Sequence, residues 1–189
     1  MIRFTLAAAA IAVTGAAADA AQLDFTAGVL SGGNTVLTMP EAVLTAGSGA
    51  TLIVGDFVAN ASCAIIPASG CVGVMTLTWN FDVENVSFDY GFGNDGDFAT
   101  VTALDASMAT VGSVFLDLES GTANEDISAL GVFRSLVFDN TGAAGAGYSY
   151  GNVNFDRAIV DAPIPLPAAL PLLMGGIAGL ALLRRKPAA

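Results

Sequence analysis

Trp79-Asn-Phe-Asp-Val-Glu-Asn-Val-Ser-Phe-Asp-Tyr90 is the stretch that decides the fold. In its second half Val86, Phe88 and Tyr90 fall on one side of an extended chain, and Ser87 and Asp89 on the other, because successive side chains of a β-strand point to opposite faces. The same period of two recurs in Val114, Leu116 and Leu118. No segment repeats its apolar residues at helical spacing. Outward from this stretch, runs rich in Val, Thr, Phe and Leu are broken by Gly, Asn, Asp and Ser, the residues that turns favour. The predicted strands are residues 23–30, 51–58, 74–81, 85–90, 98–104, 111–118, 132–138 and 150–155. Eight short strands with turn signals between them predict an all-β fold, an antiparallel two-sheet sandwich of jelly-roll-like type. A β-solenoid is the alternative, but it needs a fixed repeat period, and the chain shows none.

The 189 residues carry 17 acidic and 6 basic side chains and no histidine. Residues 24–161 hold sixteen of the acids against only Arg134 and Arg157, a net charge of −14. So large a negative field repels nucleic acid and anionic lipid and favours cations or solubility. Without histidine the chain lacks the commonest general base and the commonest metal ligand, which argues against an enzyme.

The two ends are built differently from the middle. Arg3, the apolar run Phe4–Val13 and the small-residue end Ala18-Asp19-Ala20 have the order of a signal peptide over residues 1–20, with the mature chain starting at Ala21. Its core is too short and too Ala-rich for a membrane span, which needs about 20 strongly apolar residues. At the other end, Asp161-Ala-Pro-Ile-Pro-Leu-Pro-Ala-Ala-Leu-Pro171 precedes Leu172-Leu-Met-Gly-Gly-Ile-Ala-Gly-Leu-Ala-Leu-Leu183 and then Arg184-Arg185-Lys186. The prolines hold the chain extended as an accessible stalk. As a helix, 168–183 would reach about 24 Å, slightly less than a hydrocarbon core of roughly 30 Å, and can span with local thinning. The basic cluster stays cytoplasmic by the positive-inside rule, which puts residues 21–162 on the far side of the membrane. The expected organisation is therefore a signal peptide helix at 1–20, a β-sandwich ectodomain at 21–162 and a Pro-rich, hydrophobic, basic tail at 163–186.

Ile164-Pro165-Leu166-Pro167-Ala168, followed by Leu170-Pro171-Leu172-Leu173, Gly175-Gly176-Ile177-Ala178-Gly179-Leu180 and the Arg184, Arg185, Lys186 cluster, resembles the VPLPA-type C-terminal sorting domain, a variant of the PEP-CTERM class. The departure is Ile164, where that family usually has Val, a change that keeps shape and β-branching. The resemblance implies processing by an exosortase, a multi-pass membrane cysteine transpeptidase that cuts near the Pro-rich motif. It also implies a route through the export machinery and an inner-membrane intermediate to the cell surface or the extracellular space. A permanent single-span anchor would use the same residues. Residues 79–90, Val101-Thr-Ala-Leu-Asp-Ala-Ser107 and Gly151-Asn-Val-Asn-Phe155 resemble the jelly-roll ectodomains common among PEP-CTERM proteins, many of which are similar to carbohydrate-binding modules.

Within the middle segment, Cys63 and Cys71 are the only cysteines. An exported chain gives them a compartment where a disulfide persists, and closing so short a ring is worth about 2–3 kcal/mol. Zinc would need more Cys or His. Asp89, Asn94, Asp95 and Asp97 sit in a Gly-rich run that offers calcium hard oxygens, though not with EF-hand spacing. A solvent-exposed turn uses the same residues and is the simpler reading. Trp79, Tyr90, Phe92, Tyr148 and Tyr150 are candidates for a sugar-stacking platform. Tyr148 and Tyr150 have the better case because they follow the Gly-rich run 141–147, although aromatics in strands usually pack in the core.

These readings point to an exported, non-enzymatic surface or matrix protein that binds carbohydrate such as exopolysaccharide. One alternative is a structural matrix or membrane-anchored protein with no defined ligand. Another is a glycan-processing enzyme using a carboxylate pair, Asp95 with Asp97 or Glu119 with Glu125, since such pairs hydrolyse glycosides without histidine.

Overall fold

The computed structural model describes residues 20–55, 61–65, 70–91, 97–118, 120–140 and 147–159. Its longest element is β7 (Val74–Gly91), 18 residues that join the two strands predicted over 74–81 and 85–90. The joint is a β-bulge at Asn85. On β12 (Ser149–Arg157) Asn154 lies opposite Ser87 and Asp156 opposite Glu84, so β7 carries one residue more than its partner there. Asn85 absorbs it at a φ of 51°, a left-handed conformation that Asn tolerates better than most side chains. Its amide donates to Asp156 Oδ2 at 2.9 Å. The extra residue also shifts the phase of alternation. Met75, Leu77, Trp79 and Val83 before it, and Val86, Phe88 and Tyr90 after it, are all buried. A second bulge lies on β12 itself, where Gly151 opposes Asp89 and Asn154 opposes Ser87, and Asn152 takes the same left-handed region at a φ of 45°.

Bulged strands bend, and the two halves of β7 accordingly serve two layers. The first half pairs with β4 (Ala42–Ala46) on one side and β11 (Phe133–Asp139) on the other. That layer extends past β4 through β3 (Val36–Thr38) to β2 (Val29–Ser31), and past β11 through β8 (Phe98–Leu104) to β9 (Thr110–Asp117). The second half of β7 pairs with β10 (Thr122–Asp126) and β12. Beyond β12 come β1 (Ala21–Leu23) and β6 (Ser62–Ile65), and β6 carries β5 (Thr51–Val54). Every pairing is antiparallel, and hydrogen bonds link all twelve strands into one curled sheet. The all-β antiparallel architecture expected from the alternation is what the chain adopts.

The core lies between the layers. Phe138 of the first layer meets Tyr150 of the second with ring centroids 4.3 Å apart, and Phe88 at 5.5 Å. Trp79 reaches Phe155 at 5.7 Å. Tilted and edge-on contacts of this kind suit the aromatic quadrupole, and burial of each ring contributes on the order of 1.5–3 kcal/mol. Both basic side chains of the described residues are engaged. Arg134 Nε bonds Asp82 Oδ1 at 2.7 Å, and Arg157 lies over the Phe81 ring at 4.4 Å.

Four of the strands, β3, β4, β6 and β10, are additional to those predicted, and the predicted strand 23–30 is interrupted by a single 3-10 turn at Phe25–Ala27. Asp24 causes the interruption: its Oδ1 accepts from the Thr26 N–H at 2.8 Å and from the Thr26 hydroxyl. Asp105 does the same for Ser107, and Asp126 for Ser128. Cys63 and Cys71 are joined in the disulfide expected of them, with Cα atoms 5.5 Å apart. The chain divides into two units, Met1–Ala158 and Ile159–Ala189. The signal peptide and C-terminal helices, the sorting motif Ile164–Ala168 and the cluster Arg184, Arg185 and Lys186 lie outside the described residues. Among those that are described, no helix is long and apolar enough to cross a membrane.

Candidate functional site

The sugar platform expected at Tyr148 and Tyr150 is not there. Both side chains are fully buried. They form the centre of a polar network that ties together the ends of several strands. The Tyr150 hydroxyl donates to Asn140 Oδ1 at 2.5 Å, and the Asn140 amide donates to the carbonyls of Cys71 and Tyr148 at 2.7 and 2.8 Å. The Tyr148 hydroxyl donates to the Asp97 carbonyl at 2.7 Å and accepts from the Leu118 N–H at 2.7 Å. Burial pushes the Tyr148 phenol up from its ordinary value and the Tyr150 phenol well above it. Trp79 and Tyr90 are buried as well, and Phe92 lies outside the described residues. A Tyr hydroxyl finds a partner when its ring is buried, so a Gly-rich neighbour in sequence says little about exposure.

Of the acidic run proposed for calcium, Asp89 and Asp97 lie among the described residues and have different partners. Asp89 accepts from the amides of Asn124 at 2.7 Å and Asn152 at 2.8 Å, one on each carboxylate oxygen. Asp97 is buried, with Oδ2 accepting from the Gly147 N–H at 3.2 Å. Asn94 and Asp95 lie outside the described residues, as does Glu119 of the proposed carboxylate pairs. Among the described residues no three His, Cys, Asp or Glu side chains gather as a metal site. Among the described residues the carboxylates whose titration moves, Asp24, Asp105 and Asp126, move downward, held ionised first by the hydroxyls of Thr26, Ser107 and Ser128. A general acid for glycoside hydrolysis needs the opposite shift.

The exposed aromatics are elsewhere. Phe98 and Phe115, 38% and 63% exposed, stand side by side on β8 and β9 with ring centroids 5.7 Å apart and planes 31° from parallel. Alternation places Ala99, Val101, Ala103 and Leu116 in the core and leaves Phe98, Thr100, Thr102, Ser113 and Phe115 outward. Cross-strand pairing sets Phe98 opposite Asp117, Thr100 opposite both Phe115 and Asp139, and Thr102 opposite both Ser113 and Val137. The face continues through Thr76 to Thr45. It is a surface of hydroxyls and methyl groups with an aromatic pair at one margin and two carboxylates beside it. The signal for it was legible: the phase that turns Val114 and Leu116 inward turns Phe115 outward.

Two other surfaces carry polar groups. An amide ladder runs from Gln22 through Asn154 across β1 and β12, with Gln22 Nε2 donating to Asn154 Oδ1 at 3.1 Å. An open cleft of about 280 Å³ is lined by Asp82, Asp105, Ala106, Ser107, Val132 and Phe133. Its Asp82 is held by Arg134 and its Asp105 by the turn at Ser107.

No family model matches the chain, and no curated protein matches it. Among solved structures, it is similar to a family 29 carbohydrate-binding module, at 18% identity over 74% of this chain and 85% of that one, with a TM-score of 0.42. It is similar at 14% identity to the family 11 carbohydrate-binding module from Clostridium thermocellum in complex with a β-1,3-1,4-mixed-linked tetrasaccharide, over 76% of this chain and 98% of that one, with a TM-score of 0.40. The enzymatically active domain of bacteriophage CBA120 tailspike protein 4 aligns at 18% identity over 63% of this chain and 20% of that one, with a TM-score of 0.35.

Proposed function

We propose that the chain is an exported surface protein whose β-sandwich binds a neutral glycan, without turning it over, on the outer face around Phe98 and Phe115. The observation that carries this reading is the exposed, adjacent pair of phenyl rings in a face of Thr, Ser and Val with Asp117 and Asp139 beside it. Phenyl faces pack against the C–H groups of a pyranose, while Thr100, Thr102, Ser113, Asp117 and Asp139 supply donors and acceptors for its hydroxyls. A net charge of −14 over residues 24–161 disfavours anionic polysaccharide and leaves neutral glycans as the matching class. Export is supported by the signal-peptide order of residues 1–20 and by the disulfide between Cys63 and Cys71, which persists in an oxidising compartment. The tail at 163–186 is the proposed exosortase substrate: it delivers the protein through the inner membrane and is then cut near Pro165.

Affinity electrophoresis through neutral polysaccharides tests the binding. Phe98→Ala and Phe115→Ala should each weaken retardation about tenfold, the equivalent of ~1.4 kcal/mol for a lost stacking contact. Full retardation of the double variant ends the assignment to this face. Intact mass of the protein recovered from surface and culture fractions tests the sorting: loss of residues 1–20 and of the tail from near Pro165 is expected, and a mass running through Ala189 rejects cleavage.

A further inference from the structure

The margins of a β-sheet offer unpaired N–H and C=O groups to any passing strand, and proteins ordinarily guard them with charge, brevity or cover. In this fold β2 and β1 are three residues long. The N–H of Leu52 on β5 is taken by the Asn34 carbonyl at 2.6 Å. β10 carries Glu125 and Asp126. β9 is different: it is eight residues long, its one irregularity is a bulge at Val111 near its start, where Gly112 opposes Ala103 and Thr110 opposes Leu104, and among the described residues its only sheet partner is β8. From Thr110 to Leu116 it holds no charge, although the chain has a net charge of −11. Val111 and Phe115 on it are 41% and 63% exposed.

We infer that β9 is an assembly edge through which two copies of this chain pair antiparallel, with Ser113 of one opposite Ser113 of the other. The strand is self-complementary in that register. Val111 of each copy, the bulge residue, falls beside Phe115 of its mate, so the two exposed apolar side chains flank each other at their edges and leave the outward face of the ring open. Gly112 faces Val114, and Asp117 falls opposite Ala109, which leaves no carboxylate against another. The two Asp117 side chains then sit about 27 Å apart along the strands at 3.4 Å per residue, well beyond a screening length of roughly 8 Å. Such a pairing is isologous and closes after two copies. Its two-fold axis is perpendicular to the sheet, so the outer faces of both copies continue on the same side and the two Phe98–Phe115 pairs form one longer surface. The pairing itself needs only the edge and stands whether or not that surface binds glycan.

Directly opposed residues on paired strands lie close enough for a disulfide, with Cα atoms about 4.5–5.5 Å apart. The full-length Ser113→Cys variant, exported by its own cells, should therefore run as a reducible dimer on a non-reducing gel. Thr102→Cys is the control. Thr102 lies opposite Ser113 on β8, one strand inward on the same face, so its symmetry mate is about 14 Å away and out of reach. Adding Val111→Lys to Ser113→Cys should cut the dimer at least fivefold, because a charge on the edge opposes pairing. Absence of a Ser113→Cys dimer, or equal dimer from Thr102→Cys, overturns the inference. Phe98→Ala in the Ser113→Cys background should leave the cross-link unchanged while weakening glycan retardation about tenfold, so failure of one reading is distinguishable from failure of the other.

Discussion

Removal of a single oxygen, Tyr148→Phe, separates the structural role of the buried tyrosines from a binding role. In the native protein that hydroxyl satisfies the Asp97 carbonyl and the Leu118 N–H, each at 2.7 Å, and so joins the start of β8 to the end of β9 from the start of β12. The phenyl ring of the variant fills the same space, so no cavity term arises. Two backbone groups lose their partner instead, each at about 1–3 kcal/mol when buried. Leu118 is only partly buried and recovers some hydration, which brings the expected loss to about 2–3 kcal/mol. At about 4 °C per kcal/mol for a domain of this size, the melting temperature should fall by roughly 8–12 °C. Urea denaturation followed by tyrosine and tryptophan fluorescence gives the free energy, and affinity electrophoresis of the same sample gives glycan retardation. The prediction is a lower unfolding midpoint with unchanged retardation. A loss smaller than about 0.5 kcal/mol would refute the hydrogen-bond accounting, and lost retardation at an unchanged midpoint would restore Tyr148 to the binding surface.

Alkaline titration checks the same network from another side. The protein has three tyrosines, Tyr90, Tyr148 and Tyr150, and burial raises all three phenols in the folded state. A group whose folded pKa lies above its unfolded one lends stability that is complete below the unfolded value, about 10 for Tyr, and drains away as pH rises beyond it. Phenolate absorbance of the folded protein should therefore rise at higher pH than that of the urea-unfolded chain, whose tyrosines titrate at about 10; coincident titration curves with the fold intact would contradict the burial. At the β7 bulge, Asn85→Val places a β-branched side chain at a φ of 51° and should cost about 1–2 kcal/mol, whereas Asn85→Gly should cost only about 0.5 kcal/mol through loss of the exposed bond to Asp156. Equal costs in urea melts would mean that backbone conformation is not what Asn85 supplies.

Period-two alternation was enough to name the architecture, because a half-buried strand writes its two faces directly into the sequence. It marked Val86, Phe88 and Tyr90 correctly as one face. It could not join residues 74–81 to 85–90, since the bulge at Asn85 breaks the phase and reads as a strand end. The short strands β3, β4, β6 and β10 escaped for a different reason. Three to five residues with Ala, Ser, Asn or Glu among them, as in Thr122-Ala-Asn-Glu-Asp126, carry little intrinsic β preference and are held extended by their neighbours. The disulfide was legible from two cysteines in a chain whose first twenty residues read as a signal peptide. The exposure of Tyr148 and Tyr150 was misjudged because it was inferred from a Gly-rich neighbour, while the phase already written for Val114 and Leu116 turned Phe115 outward.

The distribution of polar groups shows how this acidic fold holds itself together. The side chains that chemistry would recruit first, Tyr148, Tyr150, Asn140 and Asp97, are buried and hydrogen-bonded to one another or to backbone. Asp24, Asp105 and Asp126 each bind their own turn, and Asp89 is clasped by two amides. Such carboxylates fix loops and strands, and their ionisation keeps copies apart over most of the surface. What lies outside this pattern is the uncharged strip formed by β9 with Phe98 and the threonines of β8. Repulsion over the rest of the molecule and its absence along that strip are what the proposed edge pairing relies on. A sandwich built on one bent, bulged strand thus presents, among its described residues, a margin where apolar and hydroxyl groups meet solvent with carboxylates only at its end, and the proposed contacts fall where desolvation costs least.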